Sequence, residues 1–119
     1  MIFIKPVTDE NALKTVFGCQ GISLVENAAA VALMEEGELR QYCLYSAGEQ
    51  PELLAYAADS SVLLDGLLRA ALNRLVNAGE TTLWLHKITD KAPLIALGFV
   101  RSEQEEHINI PLFFGRGCL

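Results

Sequence analysis

A chain of 119 residues with 51% hydrophobic residues can bury one core without disulfide or metal staples. Its net charge of −6 leaves no basic stripe, which argues against a nucleic-acid partner. The longest apolar run, residues 28–34, is far short of the ~20 residues a membrane span needs, and residues 1–6 are not expected to be a signal peptide, since they carry no basic leader followed by a long apolar core.

One domain over residues 1–119 and a cytoplasmic location are therefore expected. Residues 1–6 read as a short apolar strand, which Pro6 ends or places at an edge. Thr8 or Asp9 can cap a helix over residues 10–17, with Leu13, Val16 and Phe17 on one face. Gly18 and Gly21 stop it. Residues 28–35 and 39–46 form two strands joined across Glu36-Gly37, a hairpin signal. In the second, Leu39, Gln41, Cys43 and Tyr45 face one way, and Arg40, Tyr42 and Leu44 the other. Gly48-Glu49-Gln50-Pro51 is the next turn, and residues 53–58 form the following strand.

The longest element is a helix over residues 62–78. Leu64, Leu68, Ala71 or Leu72, Leu75 and Val76 recur at helical spacing, while Asp65, Arg69, Asn73 and Asn77 form a polar stripe. Asp65 and Arg69 can pair at i, i+4. Ser60 or Ser61 supplies the N-cap, and Gly79 stands where a C-terminal glycine belongs. A strand at residues 82–85 follows, so a parallel crossover is expected. Asp90 caps a two-turn helix with Pro93 in its first turn and Gly98 at its end. Residues 99–103 and 107–113 make a final hairpin across Gln104-Glu105. The order is β-α-β-β-β-α-β-α-β-β, an α+β fold with a mixed, mostly antiparallel sheet flanked by helices.

Cys19, Cys43 and Cys118 are odd in number and widely spaced, with no CxxC pair, which argues against a disulfide framework or a zinc site. Cys43 falls in a strand and reads as a small core residue. Cys118 near the end invites a redox role, but no neighbour would lower its pKa. His86 and His107 give no metal-ligand spacing, so no metal is expected. Glu35, Glu36 and Glu38, and then Glu103, Glu105 and Glu106, read either as solvated hairpin tips or as attraction for a cationic amine.

A strand that delivers the chain into a helix N-terminus is a ready site for a phosphorylated ligand, because unpaired N–H groups point out of the helix end. The whole order resembles the GNAT superfamily of N-acetyltransferases, with one helix after the first strand where the family usually has two. Leu67-Leu68-Arg69-Ala70-Ala71-Leu72 looks like the helix after the family's pyrophosphate loop. Ala96-Leu97-Gly98-Phe99 looks like its Leu-Gly-Phe signature. The resemblance implies a small, divergent N-acyltransferase with acetyl-CoA or another acyl-CoA as cosubstrate and a small amine as acceptor.

In that family pantetheine lies along the strand before the long helix, here residues 53–58 with Ala57 as a cofactor-binding position, and pyrophosphate sits on an Arg/Gln-x-x-Gly-x-Gly/Ala loop. The matching residues are Asp59-Ser60-Ser61-Val62-Leu63-Leu64. They depart at each signature position: Asp59 for Arg/Gln, Val62 for the first Gly, Leu64 for Gly/Ala. A shifted alignment brings Gly66 into the last slot only. Val62 and Leu64 are expected to crowd the phosphates, and Asp59 to repel them. Ser60 and Ser61 either donate hydroxyl bonds or cap the helix. The family's tyrosine acid has Leu94 as its equivalent. His86 is the best placed general base, Tyr56 lies on the pantetheine strand, and Glu52 is a third candidate. The alternative is a catalytically inactive GNAT-like ligand-binding or protein-interaction module. It would dimerise through the C-terminal strand with its apolar Pro111-Leu112-Phe113-Phe114.

Overall fold

The computed structural model describes residues 2–116; Cys118 lies outside them. The elements run β1 (Ile2–Pro6), α1 (Glu10–Cys19), β2 (Ala28–Glu35), β3 (Glu38–Ser46), β4 (Glu52–Ala57), α2 (Ser61–Asn77), β5 (Thr82–Trp84), α3 (Ala92–Ala96), β6 (His107–Asn109) and α4 (Ile110–Arg116). The six strands form one sheet in sequence order, antiparallel except for β4–β5.

Two apolar clusters sandwich this sheet. Val31, Cys43, Tyr45 and Leu53 meet Leu64, Leu68, Leu72 and Leu75 of α2 on one face. Ala30, Ala32, Tyr42 and Leu44 meet Val16 and Phe17 of α1 on the other. Residues 41–45 of β3 are buried on both faces. This explains why that run is apolar almost throughout rather than alternating with charge.

The β2–β3 turn has positive φ at both central residues, Glu36 (53°) and Gly37 (85°), the handedness that suits a two-residue hairpin. A bulge at Arg40 shifts the register between Leu33 and Met34. Leu39 therefore packs with the α1 cluster, not on the side of Cys43 and Tyr45 as alternation from Gln41 would place it. Helix α1 runs through Gly18 to Cys19, and Gly21 (φ 67°) begins the exit. Asp9, not Thr8, is its cap, accepting from Ala12 N–H at 2.9 Å.

The final hairpin does not form. Phe99 and Val100 are buried but lie in no strand, and residues 101–104 turn. Lys91 Nζ donates to the Glu103 and Glu105 carbonyls at 3.0 and 2.9 Å, so a side chain meets backbone groups that a strand ladder would have paired. Strand β6 keeps three residues. Asn109 Oδ1 then accepts the Leu112 N–H at 3.0 Å and starts α4, with Pro111 in its first turn. Phe113, expected in a strand, is a helical residue stacked on Phe99 with ring centroids 4.7 Å apart.

Candidate functional site

The parallel pair β4–β5 shares a single register position, Glu52 with Trp84, where the Trp84 N–H donates to the Pro51 carbonyl at 2.8 Å. Past this point β5 turns away. The Leu85 N–H donates to Glu106 O, and the Ile88 N–H to Leu85 O. Strand β4 continues to Ala57, and among the described residues its edge away from β3 has no strand partner over residues 53–57. A bulge at Leu54 kinks β4 in the same stretch. The two strands part here, and the opened edge of β4 leads straight into the N-terminus of α2.

That N-terminus is built by two side chains. Ser60, extended at φ −146°, is the cap and accepts the Leu63 N–H at 3.2 Å. The Leu64 N–H donates to Ser60 O at 3.0 Å. Gln41, the one buried polar residue among those described (6% exposed), reaches from β3 and accepts the Asp59 N–H at 2.7 Å. This bond holds the turn against the sheet. It also occupies one backbone donor that a phosphate could otherwise use. The N–H groups of Ser61 and Val62, in the first turn, have no intrahelical partner by geometry.

Side chains around this helix end differ from expectation. Leu64 is 4% exposed and packs inward against the sheet, so it does not crowd the loop. Val62 alone stands out, at 76% exposure. Gly66 is not a loop residue. It lies within α2, where a Cβ would come 2.9 Å from Ile4 Cδ1, so its work is helix–sheet packing. Asp59, Ser60 and Ser61 are exposed, Ala57 and Leu63 half-buried.

The chemistry candidates divide between the two faces of the sheet. Tyr56 pairs with Cys43 in the ladder and packs against the α2 cluster. Burial first, then the nearby Asp90 carboxylate and Cys43, raise its phenol above the usual 10.0. A phenol so placed keeps its proton and suits an acid better than a base. Leu94, at the position of the expected acid, is wholly buried and offers no chemistry. His86 follows β5 on the other face, with its ring 5.0 Å from that of Trp84 and its Nε2 3.5 Å from Glu106 Oε2. Glu52 sits at the β4–β5 junction, and its Oε2 is shielded from solvent with no hydrogen-bond partner. The structure thus brings Glu52, Trp84 and His86 to one neighbourhood and puts Tyr56 across the sheet.

Two participants went unread in the sequence. Gln41 was placed in a strand but given no role; its signal was a lone amide inside an apolar run. Trp84 falls inside the expected strand at residues 82–85, and its one signal is that it stands two residues before His86. Among the described residues no group of three or more His, Cys, Asp or Glu could hold a metal ion, and no helix is long and apolar enough to cross a membrane.

No protein-family model matches the chain, and no curated protein is similar to it in sequence. Solved structures are similar in fold. A protein of Exiguobacterium sp. 255-15 assigned as an acetyltransferase superposes with TM-score 0.65 at 16% identity, covering 98% of each chain. An N-acetyltransferase from Staphylococcus aureus Mu50 gives TM-score 0.64 at 12% identity, covering 93% of this chain and 99% of its own. The ribosomal-protein-S18-alanine N-acetyltransferase from Escherichia coli gives 0.59 at 18%, covering 84% and 78%. The chain has the GNAT fold, a mixed and mostly antiparallel sheet flanked by helices.

Proposed function

We propose that this protein transfers an acyl group from acyl-coenzyme A, acetyl-CoA first among them, to a small amine. The observation that carries the reading is the parting of β4 and β5 beyond Glu52 and Trp84, on the strand that runs into the Ser60-capped end of α2. The fold likeness to N-acetyltransferases supports it.

The residues present fit such a cosubstrate, with a weakened phosphate end. The Ser61 and Val62 N–H groups and the positive end of a 17-residue helix would hold the pyrophosphate. Asp59 opposes it by charge, and the exposed Val62 narrows the approach. The free edge of β4 over residues 53–57 offers backbone donors and acceptors to an extended amide-bearing arm, as a strand partner would. When bound, acyl-CoA supplies the activated thioester carbonyl. The chain's own part is orientation. The amine comes from the Trp84 face and His86 takes its proton, with the Glu106 carboxylate beside the imidazole. Tyr56 stands four residues along β4 from Glu52, about 13 Å at ~3.3 Å per residue and on the α2 face, so it lines the arm's path and the departing thiolate takes its proton from water.

The test is release of free CoA thiol from acetyl-CoA in the presence of a panel of small amines. Amine-dependent release is expected, lowered about tenfold or more in His86→Ala. No release with any amine, while CoA still binds, would favour the second reading. In that reading the fold is kept as a ligand-binding module, which the Gln41 bond to the Asp59 N–H and the charge of Asp59 itself favour.

A further inference from the structure

We infer that the face of the sheet around Trp84 is the acceptor subsite and selects a compact organic cation, a molecule bearing a second ammonium or guanidinium group besides the amine that reacts. This rests on the reading of the β4–β5 opening as an acyl-transfer site.

Leu83 and Leu85 are fully buried on the α2 side, so alternation turns Trp84 to the opposite face. Its register neighbours on both sides share that face: Glu52 on β4, next to the buried Leu53, and His107 on β6, next to the buried Ile108. His86 and His107 flank the indole with ring centroids at 5.0 and 5.1 Å. Helix α1 packs against β2 and β3, and Trp84 belongs to neither core cluster. The indole thus has two tilted imidazole rings beside it, is half-buried, and belongs to neither core cluster.

Glu52 supplies the second, independent observation. Its Oε2 is shielded from water, yet no donor reaches it, and neither Lys87 nor Arg101 pairs with it. A buried carboxylate oxygen without a donor is destabilising and rare enough to need a reason. A cationic N–H donor brought by a ligand provides one. Indole is the best aromatic partner for a cation, and a carboxylate beside it adds a charge-assisted hydrogen bond. The exposed Glu106, 3.5 Å from His86, adds negative charge at the rim. A cleft of about 270 Å³ lined by Phe99, Arg101, Glu105, His107, Asn109 and Leu112 continues past His107 and gives the rest of the molecule room.

The position also suits the reaction. From Glu52 to Ala57 the strand spans about 17 Å at ~3.3 Å per residue, so an arm entering at α2 and lying along β4 ends near Glu52. The second charge, fixed between Trp84 and Glu52, would leave the reacting amine next to His86.

Trp84 is the sole tryptophan of the chain, so its emission reads this site alone. The experiment titrates the protein with 1,4-diaminobutane and with the uncharged 1,4-butanediol, following Trp84 emission, for the wild type and Glu52→Gln. A saturable change with the diamine and none with the diol is expected, with affinity about tenfold weaker in Glu52→Gln. Thermal unfolding of Glu52→Gln, matched to the wild type, shows that the loss is not misfolding. No saturable change, equal response to the diol, or unaltered affinity in a folded Glu52→Gln overturns the inference. A parallel calorimetric titration with acetyl-CoA separates the two claims. Acetyl-CoA binding without diamine binding removes the subsite and leaves the proposed function; the reverse removes the proposed function.

Discussion

Val62 and Leu64 stand two residues apart at the start of α2 and meet opposite fates. Leu64 enters the core against the sheet; Val62 projects into solvent beside the free first-turn N–H groups. Helical geometry makes this so, since residues two apart lie on roughly opposite sides of the axis. The two substitutions are therefore predicted to separate. Val62→Gly removes the whole side chain from the phosphate approach and should tighten acetyl-CoA binding several-fold at a cost of about 0.5 kcal/mol in helix propensity. Leu64→Gly should leave affinity no better and lower stability by several kcal/mol, as a large-to-small core change does. Calorimetry and thermal unfolding on both variants check this; equal gains in affinity would mean that Leu64 does face the ligand. Asp59 is the other departure at this loop, and its backbone matters as much as its charge. Its N–H is held by Gln41 Oε1, a bond that reaches across 18 residues of sequence and that no local pattern announces.

At the scale of elements, what could be read from the chain was whatever periodicity and capping express. The long helix, its Ser60 cap, the Asp65–Arg69 ion pair at 2.9 Å and the Glu36-Gly37 turn are local features, and local physics is written in adjacent residues. The end of the chain misled because two patterns overlap there. Ile108, Ile110 and Leu112 alternate like a strand, but Asn109 followed by Pro111 is also a helix start, and that signal prevailed. The missing first arm of that hairpin depends on Lys91, whose ammonium reaches the carbonyls of Glu103 and Glu105 from 12 and 14 residues away. Bulges were equally silent: Arg40 and Leu54 each shift a register, and each is an ordinary residue in its strand. Strand β3 carries its own prediction. It is buried on both faces, and burial pushes the Cys43 thiol from 9.0 up to about 12. A raised folded-state pKa means that the unfolded chain releases this proton first. The stabilisation is whole below about pH 9 and should decline as pH rises from 9.0 towards about 12. Cys43→Ala should flatten this alkaline decline, relative to the wild type, in denaturant titrations between pH 8 and pH 10. An unchanged slope would show that Cys43 is not the group responsible.

Over the whole molecule, the sheet works as a partition. One face, packed by α2, places Tyr56 and the helix N-terminus; the other, around Trp84, places Glu52, His86 and His107. The opening between β4 and β5 is where the two faces meet, and it exists because β5 is three residues long and pairs with β4 once. None of this juxtaposition is visible in sequence order, where Tyr56, His86 and His107 are separated by 20 residues or more. The fold class was legible because element order carries it. The site was legible only in part, because it depends on which face each strand residue takes.

Calorimetric titration of the unmodified protein with acetyl-CoA, beside free CoA, tests the central claim most directly. A weak but saturable heat is predicted for both, with the affinity raised by Asp59→Arg, which turns a repelling charge into an attracting one. No heat at millimolar ligand, for the wild type and for Asp59→Arg alike, would contradict the account and leave a GNAT fold that does not use coenzyme A.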